Sequence, residues 1–300
     1  VRELRRAPST EQRFESTFRV GDRALRVHTN APAVFEYLRR SFKHLAIEAG
    51  KPADLAAVDE GCILRVGGET ELWFDGCRVS VDRRLSGAIH AAAYGSAKLL
   101  GKTLRRLDRQ RALYAAGITR GEACIAIAAP SGTGKTTLAL ELLRRGWSSY
   151  GDEFLLLDRK TLVAEAVPLA FMVREPTLAA IDDPILERRI RRGALVSDSD
   201  GVRTWHDLDI AKAFGNGAIA APRVLTHLVL LARSPDGVSS CEKISPAALT
   251  LELLPHLFVE SLQVADIWEA AERFQRVACY RLRASDHRAA ADMLMELAGA

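Results

Sequence analysis

"AAPSGTGKTTLALELLRRGWSSYGDE", residues 128–153, opens on glycines, a lysine and hydroxyls and closes on two acids. Its first part fits G-x-x-x-x-G-K-[ST] at every fixed position but one: Ala129, Pro130, Ser131, Gly132, Thr133, Gly134, Lys135 and Thr136, with alanine in place of the first glycine. In this pattern the glycines let backbone N–H groups converge on phosphates, the lysine reaches the β/γ-phosphates and the hydroxyl serves Mg²⁺. Alanine is tolerable wherever that first position does not demand a positive φ. An apolar strand, "ACIAIAA", precedes the motif and an amphipathic helix, "KTTLALELLRR", follows it. The start of such a helix offers free N–H groups and partial positive charge to an anion. Ser131, Gly132, Thr133, Gly134, Lys135, Thr136 and Thr137 are therefore the expected nucleotide-binding residues.

A magnesium-dependent phosphotransferase also needs a carboxylate near the metal, and transfer to a hydroxyl needs a proton acceptor. Two places could supply them: Asp152 with Glu153, or Asp158 at the end of "FLLLD". Chain geometry separates the two. A helix over Lys135–Arg145 carries the chain roughly 16 Å from the cradle at about 1.5 Å per residue. Gly146 suits the left-handed position just past a helix end. An extended return over Trp147–Gly151 then covers roughly 16 Å at about 3.3 Å per residue, bringing Asp152 and Glu153 level with the phosphates. Asp158 overshoots by around 20 Å on the same count and reads as a turn residue before "RKT".

These residues resemble the HPr kinase/phosphorylase-like family, in particular its HPr-kinase-related branch of P-loop serine kinases, which includes lasso-peptide precursor kinases. The resemblance rests on "LYAAGI", "APSGTGKTTLALELLRRGW" and "SYGDEFLLL", and on the spacing from Lys135 to the acid pair. It is specific over about 111–175 and follows element order alone from there to 300. It implies a fold akin to phosphoenolpyruvate carboxykinase and transfer of phosphate from a nucleotide to a serine hydroxyl. Acceptors in the family include a sugar-transport carrier protein, the C-terminal serine of lasso-peptide precursors and free serine. Carried over residue by residue, it implies that Lys135 grips the β/γ-phosphates, Thr136 and Glu153 serve Mg²⁺, and Asp152 takes the serine proton. The family commonly has histidine where this chain has Tyr114; a phenol with a pKa near 10 cannot trade protons near neutrality as imidazole does.

An arginine is expected to stabilise charge on the moving phosphoryl group. Arg174, ending the apolar "PLAFMVR", is the candidate. Arg188, Arg189, Arg191 and Arg192 lie close to Asp182, Asp183 and Glu187 and read as a solvated helix face. "SDSDGVRTWHD" fails as a calcium loop, because Val196 stands where the first Asp belongs and Asp207 where the Glu belongs. It reads as a flexible loop. His206 and His227 are isolated.

Around this segment, 300 residues with 48% hydrophobic and 27% charged content describe a globular chain large enough for two domains. The expected architecture is α/β: an N-terminal α+β domain over 1–108, read as a possible peptide-docking unit, then an HPr kinase-like P-loop domain over 109–300. The net charge of +4 comes from basic residues dispersed among acids, which argues against a nucleic-acid partner. Five scattered cysteines without a C-x-x-C pair read as free thiols in a reducing compartment. The opening "VRELRRAPSTEQRFES" lacks an apolar signal core and no apolar run suggests a membrane span, so the expected location is cytoplasmic. The reading is thus an ATP- and Mg²⁺-dependent kinase acting on serine or threonine of a peptide or small protein, homo-oligomer allowed. A small-molecule kinase acting on free serine and a nucleotide-binding regulator without transfer are the alternatives.

Overall fold

The computed structural model describes residues 14–47, 55–80, 87–197, 204–259 and 263–299. The opening segment 1–13 and residues 198–203 of the rejected calcium loop lie outside them.

The chain begins with β1 (Phe14–Val20), β2 (Arg23–Thr29), α1 (Pro32–Ser41), β3 (Ala57–Val66), β4 (Glu69–Phe74), β5 (Cys77–Val79) and α2 (Ala88–Leu104). The five strands form one sheet in sequence order, with β2 and β3 parallel and the other pairs antiparallel. Alternation decides which side is covered: Phe18, Val20, Leu25, Val27, Ile63, Leu72 and Phe74 share a core with Val34 and Leu38 of α1 and Leu99 and Leu100 of α2. That core does not stop at the expected boundary after residue 108. It takes in Ala112, Phe154, Leu156 and Val167 from the second half of the chain.

There follow β6 (Gln110–Leu113), β7 (Ala115–Arg120), β8 (Ala123–Ala128), α3 (Lys135–Arg144), β9 (Ser148–Gly151), β10 (Leu155–Asp158), β11 (Val163–Ala166), β12 (Phe171–Arg174), α4 (Glu175–Ala180) and α5 (Pro184–Arg191). The rest comprises β13 (Leu195–Ser197), β14 (Thr204–Leu208), α6 (Ile210–Phe214), β15 (Arg223–Val224), β16 (His227–Arg233), β17 (Ser240–Lys243), α7 (Pro246–Leu253), β18 (Leu257–Phe258), α8 (Val264–Phe274), β19 (Ala278–Ala284) and α9 (His287–Leu297).

A six-stranded sheet in the order β17-β19-β16-β8-β7-β9 is the frame of this part. β8, β16 and β19 run parallel, and β7 pairs antiparallel with both β8 and β9. β8 is buried on both faces, hence its uninterrupted apolar sequence. Ile125 and Ile127 pack with Leu138 and Leu142 of α3 and Leu294 of α9. Cys124, Ala126 and Ala128 face the other way, against Leu113, Leu155 and Leu157 of a second sheet, β15-β11-β10-β6-β18. The run "RALYAAGI", residues 111–118, is divided between two strands. It changes sheet at Tyr114, between β6 and β7.

A third unit, β12-β14-β13, corrects the loop reading of "SDSDGVRTWHD": Thr204–Leu208 pairs with both neighbours, with Arg174 opposite Trp205 and Met172 opposite Asp207. Helix α1 braces this small sheet. Ser41 donates to Asp207 at 3.3 Å, Arg40 lies 3.7 Å from it, and Lys43 and His44 reach Asp209. The fold is mixed α/β with several sheets. Among the described residues no helix is long and apolar enough to cross a membrane, and all five cysteines are free.

Candidate active site

The cradle forms because the chain must leave β8 and enter α3 at once. Gly132 and Gly134 take φ of +83° and +115°, with open space where side chains would stand. Alternating backbone of this kind turns successive N–H groups toward one point. Gly134 caps α3 without any side-chain acceptor, and the first turn carries no acid. The orphan amides of that turn are thus left for an external anion.

Helix α3 ends at Gly146, φ +84°, and β9 brings the chain back. Because β9 is antiparallel to β7, and β7 to β8, β9 ends at the same edge of the sheet as β8. Gly151, φ +136°, makes the final bend; a Cβ there would sit 3.1 Å from the carbonyl oxygens of both Phe154 and Val167. The acids therefore arrive at the cradle: Thr136 Oγ1 donates to Asp152 Oδ2 at 2.7 Å. Glu153 lines the same cavity, of about 460 Å³, with Ser131–Leu138, Tyr114 and Arg174. Asp158 stays away, its carboxylate accepting from Lys160 N, Thr161 N and Thr161 Oγ1 in a turn.

One detail differs from the carried-over roles. The acid hydrogen-bonded to the metal-type hydroxyl is Asp152, whereas the resemblance paired Thr136 with Glu153 and left Asp152 as base. Both acids follow the bend at Gly151 and line the one cavity, and Asp152 is the one hydrogen-bonded to Thr136.

Burial governs the charges. It raises the Asp152 carboxyl to about 6, against the Thr136 hydrogen bond and the Lys135 charge, which pull it down. Burial first, then the Asp152 charge, raises Glu153 to about 8, with Lys135 and Arg174 opposing. Lys135 is pushed down by burial and pulled back by the two acids. Its Nζ donates to Ala129 O at 2.8 Å and stands 4.0 Å from the centre of the Tyr114 ring, a cation–π contact. Burial and then the Glu153 charge push the Tyr114 phenol further up, so it holds its proton throughout the neutral range.

Arg174 is placed in the cavity by β12 and α4, and its charge bears on both Glu153 and Tyr114. α3 and α4 are tied by Thr137 Oγ1 and Thr177 Oγ1 at 3.0 Å. Arg188, Arg189, Arg191 and Arg192 do not line the cavity; Arg191 pairs with Glu175 and Glu187, and Arg189 donates to Ala213 O. Two residues carried no signal in the sequence. His256 stacks on Tyr114 at 6.1 Å and accepts its backbone N–H at 2.7 Å, with its imidazole pushed down by burial and by Lys135. Arg233 donates to Gly132 O at 2.8 Å from the end of β16. No described residue before Tyr114 lines the cavity.

Magnesium fits this donor set on one condition. Among the described residues no group of three or more His, Cys, Asp or Glu could hold a metal ion. A hydroxyl with one or two carboxylates beside a phosphate cradle is instead the arrangement for Mg²⁺ that arrives with phosphate oxygens and water as its other ligands. Thr136 and Asp152 would hold it.

No family model matches the chain, and no curated protein matches it. Among solved structures, the HPr(Ser) kinase/phosphatase from Coxiella burnetii is similar over 62% of this chain and 93% of its own, at 11% identity and a TM-score of 0.33. A likeness that faint carries no argument about activity, which rests on the cavity alone.

Proposed function

We propose that the chain is an ATP- and Mg²⁺-dependent phosphotransferase whose acceptor is a serine or threonine hydroxyl of a peptide or small protein. The observation that carries the reading is the hydrogen bond from Thr136 to Asp152. It joins the cradle and the returning acids in one cavity with Lys135, Glu153 and Arg174.

Bound magnesium would supply charge neutralisation across the β/γ-phosphates. The remaining chemistry belongs to the chain. Backbone N–H groups from Gly132 to Thr136 orient the phosphates, and Lys135 moves its ammonium from Ala129 O and the Tyr114 ring onto them. Asp152, held by Thr136, serves the metal. Glu153 accepts the acceptor hydroxyl's proton; its affinity for protons, raised by burial, suits a base working near neutrality. Arg174, beside Glu153, faces the charge that builds on the transferred group. Tyr114 shapes the lysine's resting place and takes no proton.

The test is γ-labelled ATP with Mg²⁺, offered serine-containing peptides in one set of reactions and free serine in another. Label in the peptides supports the reading, label in free serine alone moves the acceptor to a small molecule, and nucleotide binding without label in any acceptor overturns it in favour of a regulator.

A further inference from the structure

The acid pair explains one end of the cavity. The other end is walled by Leu231–Ser234, where β16 finishes, and by Ala284–His287 with Ala290, where β19 hands over to α9. Sheet order fixes the relation between the two ends. On one side of β8 lie β7 and β9, carrying Tyr114, Asp152 and Glu153; on the other lie β16 and β19. A triphosphate is a linear chain. With its γ end at Glu153, its α end must point across β8 toward β16 and β19.

Most polar groups at that far end are already committed. Asp286 accepts from Arg288 N, Ala289 N and Ser285 Oγ. Ser234 Oγ donates to Asp236 and Val238 O. Arg233 is different: it is exposed, it reaches back to the cradle carbonyl of Gly132, and among the described residues no carboxylate lies within ion-pair distance of it. Arg283, opposite Ala232 on the next strand, and Arg288, just beyond that strand's end, are both paired with acids. A guanidinium held against a phosphate cradle with no counter-charge is placed to receive a phosphate oxygen. The imidazole of His287, half-buried on the same wall, is the flat polar group next in line.

We propose that the cavity is two-ended, with the nucleoside lying over the ends of β16 and β19 and Arg233 gripping the α/β-phosphates opposite Lys135, His287 flanking the nucleoside. The acceptor hydroxyl then enters from the opposite end, between Arg174 and Glu153. The two arginines divide the work: Arg233 binds nucleotide, Arg174 serves the reacting group. This rests on the nucleotide reading given above.

Two measurements on the full chain test it. The first is the affinity for a fluorescent ADP analogue and for inorganic tripolyphosphate in wild type, Arg233→Ala, His287→Ala and Arg174→Ala. Arg233→Ala should weaken ADP by about 10- to 100-fold, the loss of a charged hydrogen-bonded contact. His287→Ala should weaken ADP and spare tripolyphosphate, and Arg174→Ala should leave ADP affinity as it is. The second is photolabelling with 8-azido-ATP followed by peptide mapping, which should mark residues 231–234 or 284–290. ADP affinity unchanged in Arg233→Ala, or label on residues 172–180, would overturn the orientation while the nucleotide reading stands. If wild type binds neither nucleotide nor tripolyphosphate, both fall together.

Discussion

Binding of a magnesium nucleotide should expel about one proton from the acid pair at neutral pH. Burial raises both carboxyls, and as a coupled pair titrating at about 6 and about 8 they share about one proton at pH 7. A divalent cation arriving between Thr136 and Asp152 repels both protons, so roughly one should leave per nucleotide bound. Well above the upper value of the pair the release should fade, because little bound proton is left to expel. Isothermal titration calorimetry with Mg·ADP, repeated in PIPES and in Tris, converts the difference in heat into a proton count. Glu153→Gln should remove nearly all of the release, because its amide has no proton to give. Equal heats in both buffers at pH 7 would mean that the acids do not meet the metal nucleotide, and the site as drawn would be wrong.

Lys135→Ala should reduce transfer below about a thousandth of wild type, measured as label incorporation, since the β/γ-phosphates lose the ammonium that meets them. Asp152→Asn should weaken magnesium-dependent nucleotide binding by about tenfold or more. Glu153→Gln should instead cut kcat by about 10²- to 10⁴-fold with binding retained, a split that tests the exchanged roles of the two acids. Both acids bind protons more tightly in the fold than in the unfolded chain. The empty protein therefore loses their share of stability as pH rises from about 4 to about 8, and Glu153→Gln should melt higher than wild type at pH 8 but not at pH 5. Leu142→Ala, fully buried between α3 and the main sheet, should cost about 2–5 kcal/mol by urea denaturation.

What the sequence made legible was local. The helix from Lys135, its stop at Gly146 and the return over Ser148–Gly151 follow from propensity and rise per residue, and these alone place Asp152 and Glu153 at the cradle. Other features depended on long-range pairing. Nothing in "RALYAAGI" marks a break, and only the partners of β6 and β7 reveal the change of sheet. Thr204–Leu208 is polar enough to pass for loop; its Asp207 is tolerated in a buried strand because Ser41 and Arg40 meet it from α1. Arg233 comes to the cavity from β16 and His256 backs Tyr114 from the turn before β18, about a hundred residues beyond the cradle, where no short motif could flag them. Which acid faces Thr136 was likewise beyond spacing, since adjacent residues share a position along the chain and differ only in the side they face.

The central claim is that a metal nucleotide sits with its phosphates between the cradle and the acid pair. Electron paramagnetic resonance of Mn²⁺ substituted for Mg²⁺, bound with ATP, tests it most directly. Wild type should show ³¹P hyperfine coupling from the nucleotide on a protein-bound manganese, and Asp152→Asn should lose that bound signal. Manganese that stays in solution with the nucleotide, or binds equally well without Asp152, would contradict the account.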